Sequence, residues 1–148
     1  MNAAESLTLK IREHIPLSRS MEFCIDVLDL EGIKVSAPLS PNINIHGTGF
    51  AGSIYSLAIL TGWALATHVM QEMQIKAELV VGKAEIRYRA PVTGDLECSS
   101  HCEQAARDDF SQGVLHQGKG RLDLKIDVNN GAAELVAGFT AVVRNNQA

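Results

Sequence analysis

Between residues 42 and 56, side chains that can take part in catalysis are interspersed with small residues. The segment combines amides, an imidazole, hydroxyls and glycines: Asn42, Asn44, His46, Gly47, Gly52, Ser53, Tyr55 and Ser56. Histidine titrates near neutral pH and can act as a general base, whereas serine is a good nucleophile only beside a base. His46 is therefore a candidate base and Ser53 a candidate nucleophile. The alternatives are an exposed loop histidine and a serine that merely lies in a first helical turn.

A long helix is predicted directly after this segment, because residues 50–70 contain no Asp, Glu, Lys or Arg. About 20 uncharged residues could span a bilayer. However, two serines, two threonines and Gly62 interrupt the run, and no Lys/Arg cluster flanks it. Outside a membrane, a helix that is apolar on all sides is buried in a protein core. We therefore predict a buried central helix over about 50–72 and no membrane partner.

The start of this helix is a candidate oxyanion site. The first N–H groups of a helix lack intrahelical partners and lie at the positive end of its dipole. Gly47 and Gly52 leave the backbone bare beside Phe50, so that a substrate carbonyl could approach closely. The alternative is that the glycines only form a tight turn and a close helix–sheet contact.

Period-two alternation predicts strands on both sides of the central helix. Apolar and polar residues alternate most clearly over 83–90 and 121–128, a pattern typical of half-buried strands. The predicted strands cover 23–30, 33–39, 83–90, 96–104, 121–128 and 133–143. The last one is apolar on both faces and should therefore be central in the sheet. Residues 107–109 are interpreted as a turn or loop.

The predicted fold class is α+β, with an antiparallel sheet wrapped around one long central helix in a single domain over 1–148. A short amphipathic helix over 4–15, ended by Pro16, precedes the first strand. Such a sheet supplies the apolar face that a helix buried on all sides requires.

Composition narrows the classes of function. The net charge of -4 argues against nucleic acid as a partner, which requires a basic surface. Three cysteines without C-x-x-C spacing fit neither a disulfide framework nor a zinc site, so we expect reduced thiols, no metal and no cofactor. Charged residues within the first 15 positions argue against a secretory signal. The expected location is cytoplasmic.

Two motifs, in this order of elements, resemble those of hot-dog-fold thioesterases. Residues 88–95, YRAPVTGD, resemble the strand-end motif R-x-P-x-x-G-D. Residues 44–53, NIHGTGFAGS, resemble the N-x-x-G-x-x-H-G-G that opens the central helix in phenylacetate-pathway thioesterases. Over about residues 15–145, the chain is most similar to a related thioesterase family whose domain, in some proteins, follows a GNAT-type acetyltransferase.

The resemblance implies hydrolysis of acyl-CoA or acyl-carrier-protein thioesters. Asn44 matches the asparagine that orients the water or the thioester carbonyl, and Asn42, two residues away, could serve instead. The alternative for Asn44 is a loop asparagine that only caps the helix or a turn. The resemblance also implies an active site formed between two subunits, and hence a homodimer or a dimer of dimers. Further substrate contacts are expected from side chains near the helix start and on the strand at 83–90: Tyr55, Ser56, Arg87 and Arg89. The two arginines could bind phosphates, or they could simply belong to a solvated face.

The chain departs from the family pattern at two positions. The histidine of H-G-G falls at Phe50, and the carboxylate expected nine residues later falls at Ile59. No Asp or Glu occurs between Glu31 and Glu72, so the predicted helix carries no acid before its end. A second subunit could contribute a carboxylate, for example Asp95 or Glu97. The alternative function is a non-catalytic acyl-thioester-binding sensor or scaffold.

Overall fold

The structure, a computed structural model, describes residues 1–144. Four helices and six strands follow one another as α1 (Ala3–His14), α2 (Pro16–Met21), β1 (Cys24–Leu28), β2 (Gly32–Ala37), α3 (Ala51–Glu72), β3 (Glu78–Tyr88), β4 (Leu96–His101), α4 (Gln104–Gln117), β5 (Lys119–Val128) and β6 (Ala133–Val142). A short 3-10 turn, Ser40–Asn42, precedes α3. The predicted single domain over 1–148 stays a prediction, and its last four residues lie outside the described ones.

The six strands form one antiparallel sheet in the order β1-β2-β4-β5-β6-β3. The long helix α3 contacts strands β2 to β6, and its inner side chains, such as Leu57 and Leu65, are completely buried. This confirms the predicted α+β class, with a sheet wrapped around one central helix and a short helix at the N-terminus. The last strand, β6, lies between β5 and β3, which confirms its predicted place inside the sheet.

The central helix lies within the protein. Helix α3 is long and apolar enough to cross a membrane, but 72% of its most hydrophobic window is buried against the rest of the chain. At Gly62 the helix approaches the sheet so closely that a Cβ atom would lie 2.6 Å from Cζ of Phe139. Both observations are typical of the core helix of a soluble protein.

Helix α4 was not predicted, and the strand and turn assigned to residues 102–109 were wrong. The buried residues of α4 follow helical spacing, but two of the four are polar: Arg107, Phe110, Ser111 and Val114. Arg107 Nη1 donates to the carbonyls of Leu30 (2.9 Å) and Cys102 (2.5 Å), which ties α4 to the β1–β2 hairpin. Since half of the buried face is polar, apolar residues do not recur with the helical period of 3.6 residues clearly enough to identify α4 from the sequence.

The predicted bounds of the N-terminal elements also needed correction. Pro16 does not simply end the first helix, because it is the first residue of α2. Proline suits that position, where the missing N–H would have no helical partner. The first two strands are shorter than predicted, at Cys24–Leu28 and Gly32–Ala37.

The two edges of the sheet differ in how they are covered. Helix α1 lies along β1, where Thr8 Oγ1 accepts the N–H of Ile25 (3.0 Å) and Arg12 Nε donates to the carbonyl of Phe23 (2.7 Å). At the other edge, no strand within residues 1–144 pairs with the outer side of β3. Val80 and Val81 on this strand are 51% and 39% exposed. An uncovered edge of 11 residues is a template for pairing with another chain.

Candidate active site

The loop that leads into α3 is fixed at its base by Asn42. This side chain is buried, and its Nδ2 donates to the carbonyls of Met21 (3.0 Å) and Pro38 (2.8 Å). The Asn42 carbonyl accepts the N–H of Phe50 at 2.8 Å. Asn42 therefore joins the end of α2 to the start of α3, and its amide nitrogen is fully used in doing so.

Asn44 organises the tip of the same loop. Its Oδ1 accepts the backbone N–H groups of His46 (2.8 Å) and Thr48 (3.1 Å). Its Nδ2 donates to Thr48 Oγ1 (2.9 Å) and to the Gly49 carbonyl (3.3 Å). Gly47 has a φ of 83°, which glycine adopts without strain. The structure thus places Asn44 beside the helix start, with both ends of its amide directed into the loop.

The start of α3 has no side-chain cap. Phe50 is the N-cap residue and makes no side-chain hydrogen bond, and its carbonyl accepts the N–H of Ile54 (3.0 Å). Within residues 1–144, the N–H groups of Ala51, Gly52 and Ser53 therefore have no partner. The Phe50 ring lies against Gly52, where a Cβ atom would be 2.5 Å from its Cε2. A side chain at position 52 would therefore displace the Phe50 ring, which is itself half-exposed.

Tyr88, at the end of β3, is a further candidate site residue, and the sequence analysis did not single it out. Its hydroxyl donates to the Ala51 carbonyl at 2.8 Å, so that it fixes the first turn of α3 to the sheet. Burial, and next the nearby Tyr55, raise the pKa of Tyr88, so the phenol stays a donor at neutral pH. The signal was available, because Tyr88 follows Ala84 and Ile86 on the same face of an alternating strand.

One face of α3 is left partly open by the sheet. Its residues recur every three or four positions and are half-buried: Gly52, Tyr55, Ser56, Ile59 and Trp63. The predicted side chains Tyr55 and Ser56 therefore lie on this open face, and Ser53 lies half-buried beside it. His46 is exposed at the loop tip. The structure does not join His46 and Ser53 by a hydrogen bond within residues 1–144.

The charged candidates lie away from the helix start or are already paired. Arg87 is exposed on the outer side of β3, and Arg89 Nη1 lies 3.9 Å from Glu134 Oε2. Asp95 Oδ1 accepts the N–H of Leu39 (3.0 Å), whereas Glu97 is exposed on β4. In the part of the chain that the structure describes, no three His, Cys, Asp or Glu side chains are placed to hold a metal ion. The absence of a metal and of a cofactor stays a prediction.

The sequence matches a family model over residues 4–142, and this family is described as "Putative thioesterase (yiiD_Cterm)". The match covers nearly the whole chain, including the loop, α3 and the motif at 88–95. The chain belongs to this family.

Solved structures agree with that membership. A "putative thioesterase" from Shewanella oneidensis is 31% identical, with 94% of this chain and 96% of that chain covered and a TM-score of 0.83. A protein of unknown function from Chlorobaculum tepidum is 25% identical, with 95% and 94% covered and a TM-score of 0.91. The PaaI protein of the Escherichia coli phenylacetic acid degradation operon, at 14% identity, 95% and 94% coverage and a TM-score of 0.63, shares the fold.

Family membership supports thioesterase activity and confirms the resemblance to hot-dog thioesterases. This family member has an aromatic ring at Phe50 and an aliphatic side chain at Ile59, where the related motif led us to expect a histidine and a carboxylate. Ile59 lies on the open face of α3. The roles assigned to individual residues stay predictions.

Proposed function

We propose that the protein hydrolyses acyl thioesters of coenzyme A or of an acyl carrier protein. The observation that carries this proposal is the uncapped start of α3, with the free N–H groups of Ala51, Gly52 and Ser53. These donors lie at the positive end of a 22-residue helix. They suit the negative charge that develops on the carbonyl oxygen when a thioester is attacked.

In this mechanism the thioester oxygen binds at the free N–H groups and water adds to the carbonyl carbon. The tetrahedral oxyanion is stabilised there until the C–S bond breaks and the thiol leaves with a proton. Asn44 contributes by holding the loop beside the reacting carbonyl, and Asn42 holds the base of that loop. Tyr88 keeps the first turn in place through its bond to the Ala51 carbonyl.

The proton acceptor is the part of the mechanism with several candidates. His46 and Ser53 are the candidates within one protomer, and Asp95 or Glu97 could come from a second subunit. Ile59 provides no carboxylate on the helix itself. Tyr55 and Ser56 are proposed to contact the substrate, and Arg87 and Arg89 to bind its phosphates, as two cations near the end of β3.

We further propose that the active protein is a homodimer, or a dimer of dimers, in the cytoplasm. The uncovered edge of β3 supports pairing of two copies of this strand. Three large apolar side chains beside the helix start are also exposed: Ile43 (49%), Ile45 (94%) and Phe50 (52%). A second subunit would remove them from water and complete the site. The three free cysteines suit a reducing compartment.

Ile59 favours a second candidate function, the binding of acyl thioesters without turnover. An aliphatic residue on the open face of α3 can contact an acyl chain but cannot activate water.

Thiol release from acyl-CoA by Ala51→Pro tests the proposal. Proline lacks the N–H but is tolerated as the first residue of a helix, and Phe50 already has the extended ψ of 130° that proline requires before it. Loss of one oxyanion donor should lower kcat roughly 10²-fold or more, while Ala51→Ser, which keeps the N–H, should retain activity. An unchanged kcat in Ala51→Pro would exclude this helix start from the mechanism. Thermal stabilisation by acyl-CoA without thiol release would favour the second function.

A further inference from the structure

Two aromatic side chains, well separated along the helix, each form a hydrogen bond between α3 and β3. Near the start of the helix, the Tyr88 hydroxyl donates to the Ala51 carbonyl at 2.8 Å. Three turns further along, Trp63 Nε1 donates to the Leu79 carbonyl at 3.4 Å. The helix and the strand therefore run in opposite directions, with one bridge at each end of their contact.

The surface between the two bridges is apolar and half-buried. It is formed by Tyr55 and Ile59 from α3 and by Ala84 and Ile86 from β3, and we call it the α3–β3 seam. The charged residues of this part of β3 are on the opposite face of the strand because side chains alternate. The seam begins at the free N–H groups of α3 and ends at the indole of Trp63.

We propose that Trp63 sets the length of the acyl chain that the protein accepts. This inference rests on the proposed function, since the thioester carbonyl is taken to bind at the start of α3. From there a linear acyl chain would run along the seam, which offers it apolar contacts and no charge. The indole of Trp63 crosses from helix to strand and closes the path.

The length of the α3–β3 seam, from the start of α3 to Trp63, sets the length of the acyl chain that fits and hence the substrate class. Eleven residues separate Gly52 from Trp63, which is about 16 Å at about 1.5 Å per residue. Side chains on a helix generally lean toward its N-terminus, so the Trp63 indole would shorten this distance by up to about one turn, or roughly 5 Å. About 11–16 Å therefore remain. Carbon–carbon bonds of about 1.5 Å in a zigzag advance the chain by about 1.3 Å per carbon, so we expect medium-chain thioesters of about eight to twelve carbons.

A series of saturated acyl-CoA substrates from short to long chains tests this assignment. In the unaltered protein, kcat/KM should fall sharply beyond about twelve carbons. Trp63→Ala should remove this limit on chain length. The ratio of kcat/KM for a long acyl chain to kcat/KM for an eight-carbon chain should then rise roughly tenfold or more. Trp63→Phe keeps an aromatic ring at this position and should retain the limit.

Ile59→Trp is the reciprocal variant, and it does not depend on the stability of Trp63→Ala. It places an indole one turn closer to the helix start, so the preferred chain should become shorter by about four carbons, at about 1.5 Å per helical residue. If both Trp63→Ala and Ile59→Trp hydrolyse the series with the unaltered chain-length profile, Trp63 does not set the length and the proposed function still stands. If these variants change the oligomeric state but keep the chain-length profile, the seam would be a contact surface for a second copy of the chain. That result would also overturn the proposal.

If the unaltered protein hydrolyses no member of the series, either as coenzyme A thioesters or as acyl-carrier-protein thioesters, the proposed function fails. The same acyl-CoA series then serves as a set of binding probes in thermal unfolding. Stabilisation that ends at about twelve carbons in the unaltered protein, and extends to longer chains in Trp63→Ala, would still support Trp63 as the stop. Stabilisation that is independent of chain length in both proteins would refute it.

Discussion

Asn44 shows how a single side chain can define a loop by using all of its hydrogen-bonding groups. Its oxygen accepts two backbone N–H groups and its nitrogen donates twice within residues 44–49. The sequence shows that this asparagine precedes the long helix. It could not predict these bonds, because they depend on how the backbone of His46 to Gly49 turns back over the side chain.

Two substitutions at Asn44 separate its structural and chemical contributions. Asn44→Ala should lower the free energy of unfolding by about 1–2 kcal/mol, because two backbone N–H groups lose their acceptor, and should lower kcat. Asn44→Asp keeps that acceptor but replaces the Nδ2 donor to Thr48 Oγ1 and the Gly49 carbonyl by an oxygen, so it should recover only part of the stability and of the activity. Urea unfolding and thiol release measure the two effects. An Asn44→Asp variant as stable as the unaltered chain would contradict the contribution of the two Nδ2 bonds to the loop.

Cys98 is a buried thiol whose titration should affect stability at high pH. Burial raises its pKa from 9.0 to about 12. Above pH 9 the unfolded chain loses this proton while the folded chain keeps it. The free energy of unfolding should therefore fall with rising pH between 9 and 12, by up to about 1.4 kcal/mol per pH unit from this group.

Urea unfolding at pH 8 and pH 10.5 checks this expectation, with Cys98→Ala as the reference. Other groups also titrate in this range, and they do so in both proteins. The unaltered chain should consequently lose more stability than Cys98→Ala over the same interval. Equal losses in the two proteins would mean that the thiol ionises as readily in the folded as in the unfolded chain.

Among the helices, the residues that form the buried face decided whether the helix could be predicted from the sequence. Helix α3 could be predicted from its sequence because 21 consecutive residues, 50–70, carry no charge. Helix α4 could not, since a buried arginine and serine replace apolar residues on its inner face. The alternating strands were largely identifiable, but the pairing of β3 with β6 joins segments some 50 residues apart and has no local signal.

The contact between α4 and β5 depends on two glycines and gives a prediction for stability. A Cβ atom at Gly120 would collide with the backbone carbonyl of Phe110, and one at Gly113 would lie 2.8 Å from the Lys119 carbonyl. Gly120→Ala should therefore lower the free energy of unfolding by about 2–3 kcal/mol, because backbone atoms must move. Thermal unfolding should show a decrease of roughly 4–12 °C in Tm.

Gly94→Ala is the matched control for Gly120→Ala. Gly94 lies in the turn before β4, and a Cβ atom there would meet nothing within 4 Å. Its free energy of unfolding should stay within about 0.5 kcal/mol of that of the unaltered chain, as is typical of surface substitutions, so its Tm should hardly change. Similar losses in both variants would show that glycine flexibility, rather than the close approach of α4 to β5, determines the effect.

For the whole molecule, the uncovered edge of β3 predicts a dimer that depends on this strand. Val80→Lys places a charge on the edge and, in a two-fold pair, brings like charges close together, which disfavours pairing. Light scattering should show a shift from dimer toward monomer, and thiol release should decrease because the site loses its second subunit. Leu115→Lys makes a similar change at an exposed position of α4 and should retain both the dimer and the activity. A monomeric but fully active Val80→Lys variant would contradict a site shared between subunits.

If two copies pair through β3, the cover that α1 provides at β1 should limit further assembly. Thr8 and Arg12 occupy two of the backbone groups through which another strand would add at that end of the sheet, the Ile25 N–H and the Phe23 carbonyl. A sheet with two open edges could add copies without limit and grow into a fibre. With one edge closed, pairing through β3 uses the same surface on both partners and leaves no free end, so that growth terminates at a closed pair. We therefore expect the N-terminal helix to prevent strand addition at β1, so that a pair formed through β3 does not grow into a longer sheet.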